Sequence, residues 1–166
     1  MSEAGRGRQG KPFQKLVMDK LSAGLTGIAG EYFVAAELSR RGFMASITLR
    51  NNDSIDIHAS RLADNKMFAI QVKTTQVKRR QWPLSVKAER MNTINHFYVF
   101  VNLKGIDERP DYFIVPSEIV ARTTRESHQL WLDKLGKRGQ VHNDNPVRVF
   151  SDKEGEYLEK WDLLNQ

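Results

Sequence analysis

Four side chains, Glu31, Asp56, Gln71 and Lys73, have the types and spacing needed to hold a divalent cation beside a positive charge. Asp56 lies in Ser54-Ile-Asp-Ile-His58, and Gln71 and Lys73 lie in Ala69-Ile-Gln-Val-Lys-Thr-Thr75. Successive side chains of a strand point to opposite faces, so Gln71 and Lys73 share a face that Val72 leaves, and Asp56 shares its face with Ser54 and His58. If the two segments pair as a hairpin, a carboxylate, an amide oxygen and an ammonium group meet on one patch. Mg²⁺ takes oxygen ligands and keeps several waters, so one or two carboxylates with an amide or backbone carbonyl suffice to bind it. Lys73 is then placed to orient or deprotonate an attacking water, or to neutralise charge developing on phosphorus.

These groups need a helix and a sheet to position them. Residues 27–41 are rich in Ala and Leu and stop before Gly42, which suits a helix C-terminus. On that helix Glu31 shares a stripe with Val34, Ala35 and Leu38, whereas Glu37 faces Phe33, Arg40 and Arg41. A carboxylate on an apolar stripe is costly unless paired or metal-bound, so Glu31 is the anomalous acid and Glu37 an ordinary surface partner of Arg41. Gly24, Gly27 and Gly30 lack the strand and the lysine of a phosphate-binding loop and are expected to let the helix start pack closely. A shorter helical piece is expected over 12–23.

Three β-like runs follow, over 43–49, 54–60 and 67–75, separated by turn chemistry at 50–53 and 62–66. Residues 96–103 are nearly all apolar, as in a strand covered on both faces, and 111–115 form its expected hairpin partner. Pro116 and Ser117 open a helix with Ser117 as N-cap. Residues 136–146 read as a loop and 155–164 as a final helix, with Trp131 and Trp161 in the core of the C-terminal helices. This order of elements is mixed α/β, an α+β arrangement on a mixed sheet.

At 166 residues the chain fits one domain. Residues 1–12 are expected to form a disordered basic arm and 13–166 a single domain. The chain contains no cysteine, which removes disulfides and thiolate zinc sites. It shows neither a secretory signal nor an apolar run long enough to span a bilayer, so a cytoplasmic setting and no membrane partner are expected. Lys and Arg outnumber Asp and Glu by 26 to 20, a net charge of +6 that favours polyanions. Lys78, Arg79 and Arg80 follow the Gln71/Lys73 segment, with Trp82 just beyond; a basic run beside an aromatic can meet phosphates and stack on a base. A solvated loop with a core tryptophan explains the same residues. His58 is expected to fill a strand surface, and His96, His128 and His142 show no metal-ligand spacing.

A helix with Gly30-Glu31, a strand with Asp56 and a strand with Gln71-Val-Lys73 resemble the PD-(D/E)XK nuclease superfamily, over about residues 27–75. The resemblance implies a restriction-endonuclease-like core: a helix, a three-strand meander, further strands and flanking helices. It implies Glu31, Asp56 and Gln71 as metal ligands or ligand-orienters and Lys73 as the catalytic lysine. The expected activity is an Mg²⁺-dependent endonuclease, with Mn²⁺ able to substitute, hydrolysing phosphodiester bonds in DNA; a homodimer would allow both strands to be cut. Ile55 stands where many members have proline, and Gln71 replaces the acid of the acid-X-Lys motif. Mrr-type restriction nucleases and Holliday junction resolvase-like members look similar in carrying glutamine there. Glutamine keeps a carbonyl oxygen but loses the charge, which weakens cation binding. Two alternatives stay open: an inactive nucleic-acid-binding or regulatory module of the same fold, and a protein-interaction or immunity-type protein.

Overall fold

The computed structural model describes residues 20–49 and 55–165. The basic arm, most of the helical piece expected over 12–23, and Ser54 lie outside that range. Helix α1 (Ala23–Arg40) starts at Ser22, whose hydroxyl accepts the Leu25 N–H at 3.3 Å, and ends before Gly42 at φ +84°. That left-handed geometry favours glycine.

Strands β1 (Phe43–Ile47), β2 (Ile57–Arg61) and β3 (Met67–Thr75) form the expected antiparallel meander. After β4 (Gln81–Ser85) and a 3₁₀ turn at Val86–Arg90, strand β5 (His96–Asn102) enters parallel to β3. Strand β6 (Asp111–Pro116) then folds back antiparallel on β5. The sheet is five-stranded, in the order β1-β2-β3-β5-β6. β5 is buried along its whole length, as its apolar run requires.

Alternation along the strands divides the core into two layers. Ile57, Ile70, Val72, Val99 and Ile114 pack with Val34 and Leu38 of α1 and with Trp161 and Leu164. On the other face Tyr98, Phe100 and Phe113 pack with Trp82, Phe150 and Val120, the last from helix α2 (Ser117–Leu132). No helix among the described residues is long and apolar enough to cross a membrane.

Several expectations need correction. β4 pairs antiparallel with β7 (Val147–Ser151) in a second, two-stranded sheet. Ser117 is the first helical residue of α2, not its N-cap: Pro116 holds the cap position, and the serine hydroxyl donates to the Thr93 carbonyl at 3.3 Å. Residues 155–164 are not one helix. The Asp152 carboxylate accepts the N–H groups of Gly155, Glu156 and Tyr157 in a tight turn, Glu159 sits at φ +55°, and a 3₁₀ turn occupies Trp161–Asn165. Trp161 is buried as expected, whereas Trp131 is 39 % exposed.

Candidate active site

The site begins where β2 leaves β3. Their last regular pair at this end is Ile57 with Ile70, so the next β3 donor would lose its ladder partner. Asp56 supplies one. Its backbone N–H donates to the Ile70 carbonyl at 2.9 Å, and its Oδ2 accepts the Val72 N–H at 2.7 Å. The carboxylate is thereby fixed against the residue that separates Gln71 from Lys73.

Gln71 and Lys73 share a face of β3, and both line a cavity of about 360 Å³ with Ser85, Lys87, Met91 and Tyr98. Gln71 is 7 % exposed and lies opposite Tyr98 in the β3–β5 register. Burial, reinforced by the negative charge of Asp56, pushes the Tyr98 phenol up to about 12. Tyr98 thus stays protonated at neutral pH and feels the carboxylate field. Lys87 and Tyr98 escaped the sequence reading; Lys87 enters through the 3₁₀ turn after β4, an element with no local periodic signal.

Glu31 is carried by α1, which packs on the Ile70 and Val72 face of β3. Its neighbour Gly30 is buried against Thr74: a Cβ built at Gly30 would lie 1.8 Å from Thr74 Oγ1. Of the three glycines expected to permit close packing Gly30 does so, while a Cβ at Gly24 or Gly27 would meet nothing within 4 Å. Glu31 is half-buried at this crossing and does not line the Gln71/Lys73 cavity. The burial order of the two helix acids reverses the expectation. Glu37 is 6 % exposed and binds Arg40 (3.1 Å), Arg41 and Arg109 (3.4 Å).

Among the described residues there is no group of three or more His, Cys, Asp or Glu side chains arranged to hold a metal. The donors just before β2 and on β3 are hard oxygens, one from the Asp56 carboxylate and one from the Gln71 amide. That chemistry fits a weakly bound Mg²⁺ or Mn²⁺ that keeps most of its waters, and it does not suit a soft metal.

Lys78 and Arg79 are exposed and, with Arg80, Gln81 and Lys153, line a cavity of about 450 Å³. Arg80 donates to the Lys153 carbonyl at 3.0 Å. Trp82 is not at this surface. It is 1 % exposed, packs on Phe100 and Phe113 at about 5 Å, and its Nε1 donates to the Val101 carbonyl. It belongs to the core and has no free face for a base. His58 is exposed on β2, as expected.

No family model matches the chain, and neither does any curated protein. Solved structures similar to the chain include two nucleases. A bacterial homing endonuclease, I-Ssp6803I, shares 16 % identity at a TM-score of 0.50, the match covering 86 % of this chain and 91 % of that one. Hjc, a Holliday junction resolvase from the archaeal hyperthermophile Archaeoglobus fulgidus, shares 15 % identity at a TM-score of 0.48, covering 84 % and 96 %. The likeness to the homing endonuclease is one of fold. The chain has a restriction-endonuclease-like fold, a mixed α/β architecture.

Proposed function

We propose that the chain is a metal-dependent endonuclease that hydrolyses phosphodiester bonds in DNA. One observation carries the reading: the Asp56 carboxylate is bound to the backbone between Gln71 and Lys73, in a chain with the restriction-endonuclease-like fold. An acid and a lysine held at one crossing of paired strands suit phosphate chemistry, where catalysis rests on positioning and charge.

Asp56 and Gln71 would hold Mg²⁺ or Mn²⁺, with Glu31 as a third ligand or an orienter of the first two. A cation bound there supplies Lewis-acid stabilisation of charge at the phosphate. Lys73 orients the water that attacks phosphorus and offsets the negative charge that builds up. Lys87, on the wall of the same cavity, adds a second cation to guide the phosphate. Lys78, Arg79 and Arg80 attract the flanking backbone through a salt-sensitive, sequence-independent contribution.

Incubating the protein with plasmid, branched DNA and RNA in Mg²⁺ or Mn²⁺ tests this. Cutting that disappears in Asp56→Ala and Lys73→Ala is expected, and cutting that survives both rules the mechanism out. Salt-sensitive binding with no cutting would instead favour the inactive nucleic-acid-binding module, for which the uncharged Gln71 is the structural reason.

A further inference from the structure

With Trp82 sealed in the core, a different tryptophan offers an aromatic surface beside the cationic strip. Trp131, near the C-terminal end of α2, lines a cavity of about 590 Å³ with Val147 and Val149 of β7. That volume lies within the range of pockets that take small organic groups. The tryptophan is held in place. His142 stacks on it at 4.1 Å and an interplanar angle of 4°, and His142 Nδ1 lies 2.7 Å from the Trp131 carbonyl oxygen. His128, a further ring neighbour, bonds Asp144 at 2.8 Å.

The two valines belong to the outer face of the two-stranded sheet, opposite the face that buries Trp82 and Phe150. The cavity therefore has an aromatic wall, an apolar wall, and amide groups at its margin from Asn145 and Gln81. Gln81 and Lys153 also line the adjoining cavity of Lys78, Arg79 and Arg80, so the apolar slot opens onto a cationic groove. Among the described residues no carboxylate lines either cavity.

From this juxtaposition we infer that the groove binds an unpaired nucleotide, its base between Trp131 and the valines and its phosphates along Lys153, Lys78 and Arg79. The inference rests on the nuclease reading and narrows it to DNA with a single-stranded or splayed segment. A base supplies a flat ring that stacks on indole and an edge that bonds amides; its backbone supplies the negative charge that the neighbouring groove matches. A base paired inside a duplex presents no free ring face to such a slot.

The test is anisotropy with a fluorescein-labelled single-stranded oligothymidylate and a blunt duplex of equal length, in metal-free buffer so that nothing is cut. The intact chain should prefer the single strand, and the strand should quench indole emission. Trp131→Ala should weaken single-strand binding by about tenfold, the size of one lost stacking contact, and erase the preference. Trp131→Phe should restore most of it, and Val149→Asp should weaken it independently. Lys153→Ala should lower the salt slope of binding by about 1.

Unchanged single-strand affinity in both Trp131→Ala and Val149→Asp, with circular dichroism showing native folds, overturns the inference. So does equal affinity of the intact chain for both probes. Plasmid cutting, scored on the same preparations, separates the two claims. Cutting without Trp131-dependent binding overturns the groove and spares the nuclease reading; Trp131-dependent binding without cutting does the reverse.

Discussion

The Oδ2 atom of Asp56 accepts the backbone N–H of Val72 at 2.7 Å, at the point where β2 and β3 part. One carboxylate thereby completes the sheet at the backbone between Gln71 and Lys73, outside the lining of their cavity, and its charge reaches Tyr98 on the cavity wall. The two roles separate by substitution. Asp56→Asn keeps an acceptor oxygen and should lose little stability, whereas Asp56→Ala orphans the Val72 N–H and should cost about 1–2 kcal/mol in urea unfolding. Both should reduce metal-dependent plasmid nicking at least about 100-fold. Wild-type nicking by the asparagine variant would show that the charge is not used.

Gln71 limits the metal site, because its amide brings an oxygen without a charge. Gln71→Glu should tighten Mg²⁺ or Mn²⁺, seen as a lower metal concentration for half-maximal nicking and a larger rise in Tm on adding metal. Without metal the same variant should be less stable than the parent, since it buries a second carboxylate at a 7 % exposed position near Asp56. A variant with unaltered metal dependence would remove Gln71 from the ligand set.

The meander and the β5–β6 hairpin were legible because 67–75 and 96–102 carry their own strand chemistry and the turns between runs are polar. β4 and β7 were not. Pro83 interrupts the first, and the second buries Arg148 and exposes Val147 and Val149, inverting the usual reading of apolar alternation. Arg148 tolerates burial through its ion pair with Glu89, a residue far away in sequence. The same limit left Trp82 with two readings, a stacking platform or a core residue. A basic run followed by tryptophan fits a nucleic-acid loop locally, and the aromatic neighbours that bury it, Phe100, Phe113 and Phe150, arrive from distant strands. The nearness of Asp56 to the Gln71-Val72-Lys73 backbone followed from two adjacent strands joined by a short turn.

Glu37 was misread for want of a distant partner, Arg109, which also binds Glu159 at 2.8 Å. Burial works to raise the Glu37 pKa, but the Arg41 and Arg109 guanidiniums outweigh it and hold the carboxyl below its ordinary value of 4.5. A folded pKa below the unfolded one adds stability that is fully present above about 4.5 and is lost as pH falls through the folded value. Glu37→Gln should therefore destabilise the chain by about 1–2 kcal/mol at neutral pH, discounted because its arginines are partly exposed. The deficit relative to wild type should shrink as denaturation is repeated at lower pH. A deficit independent of pH would place the effect in packing.

The position of Glu31 depends on how closely α1 can approach β3, and Gly30 sets that distance. A methyl group at Gly30 would overlap Thr74 Oγ1, a buried hydroxyl without a hydrogen-bond partner. Gly30→Ala should push α1 outward, costing about 1–3 kcal/mol by overpacking, and should slow nicking by displacing Glu31. Thr74→Ala removes an unsatisfied oxygen and should be near neutral or stabilising. The double variant should recover part of the lost stability and rate, because the clash with Oγ1 is gone while the Thr74 Cβ still lies 2.9 Å from the new methyl. A double-mutant cycle by urea unfolding and nicking rate measures the coupling. Strict additivity would mean that the helix does not rest on Thr74 and that Glu31 owes its place to other contacts.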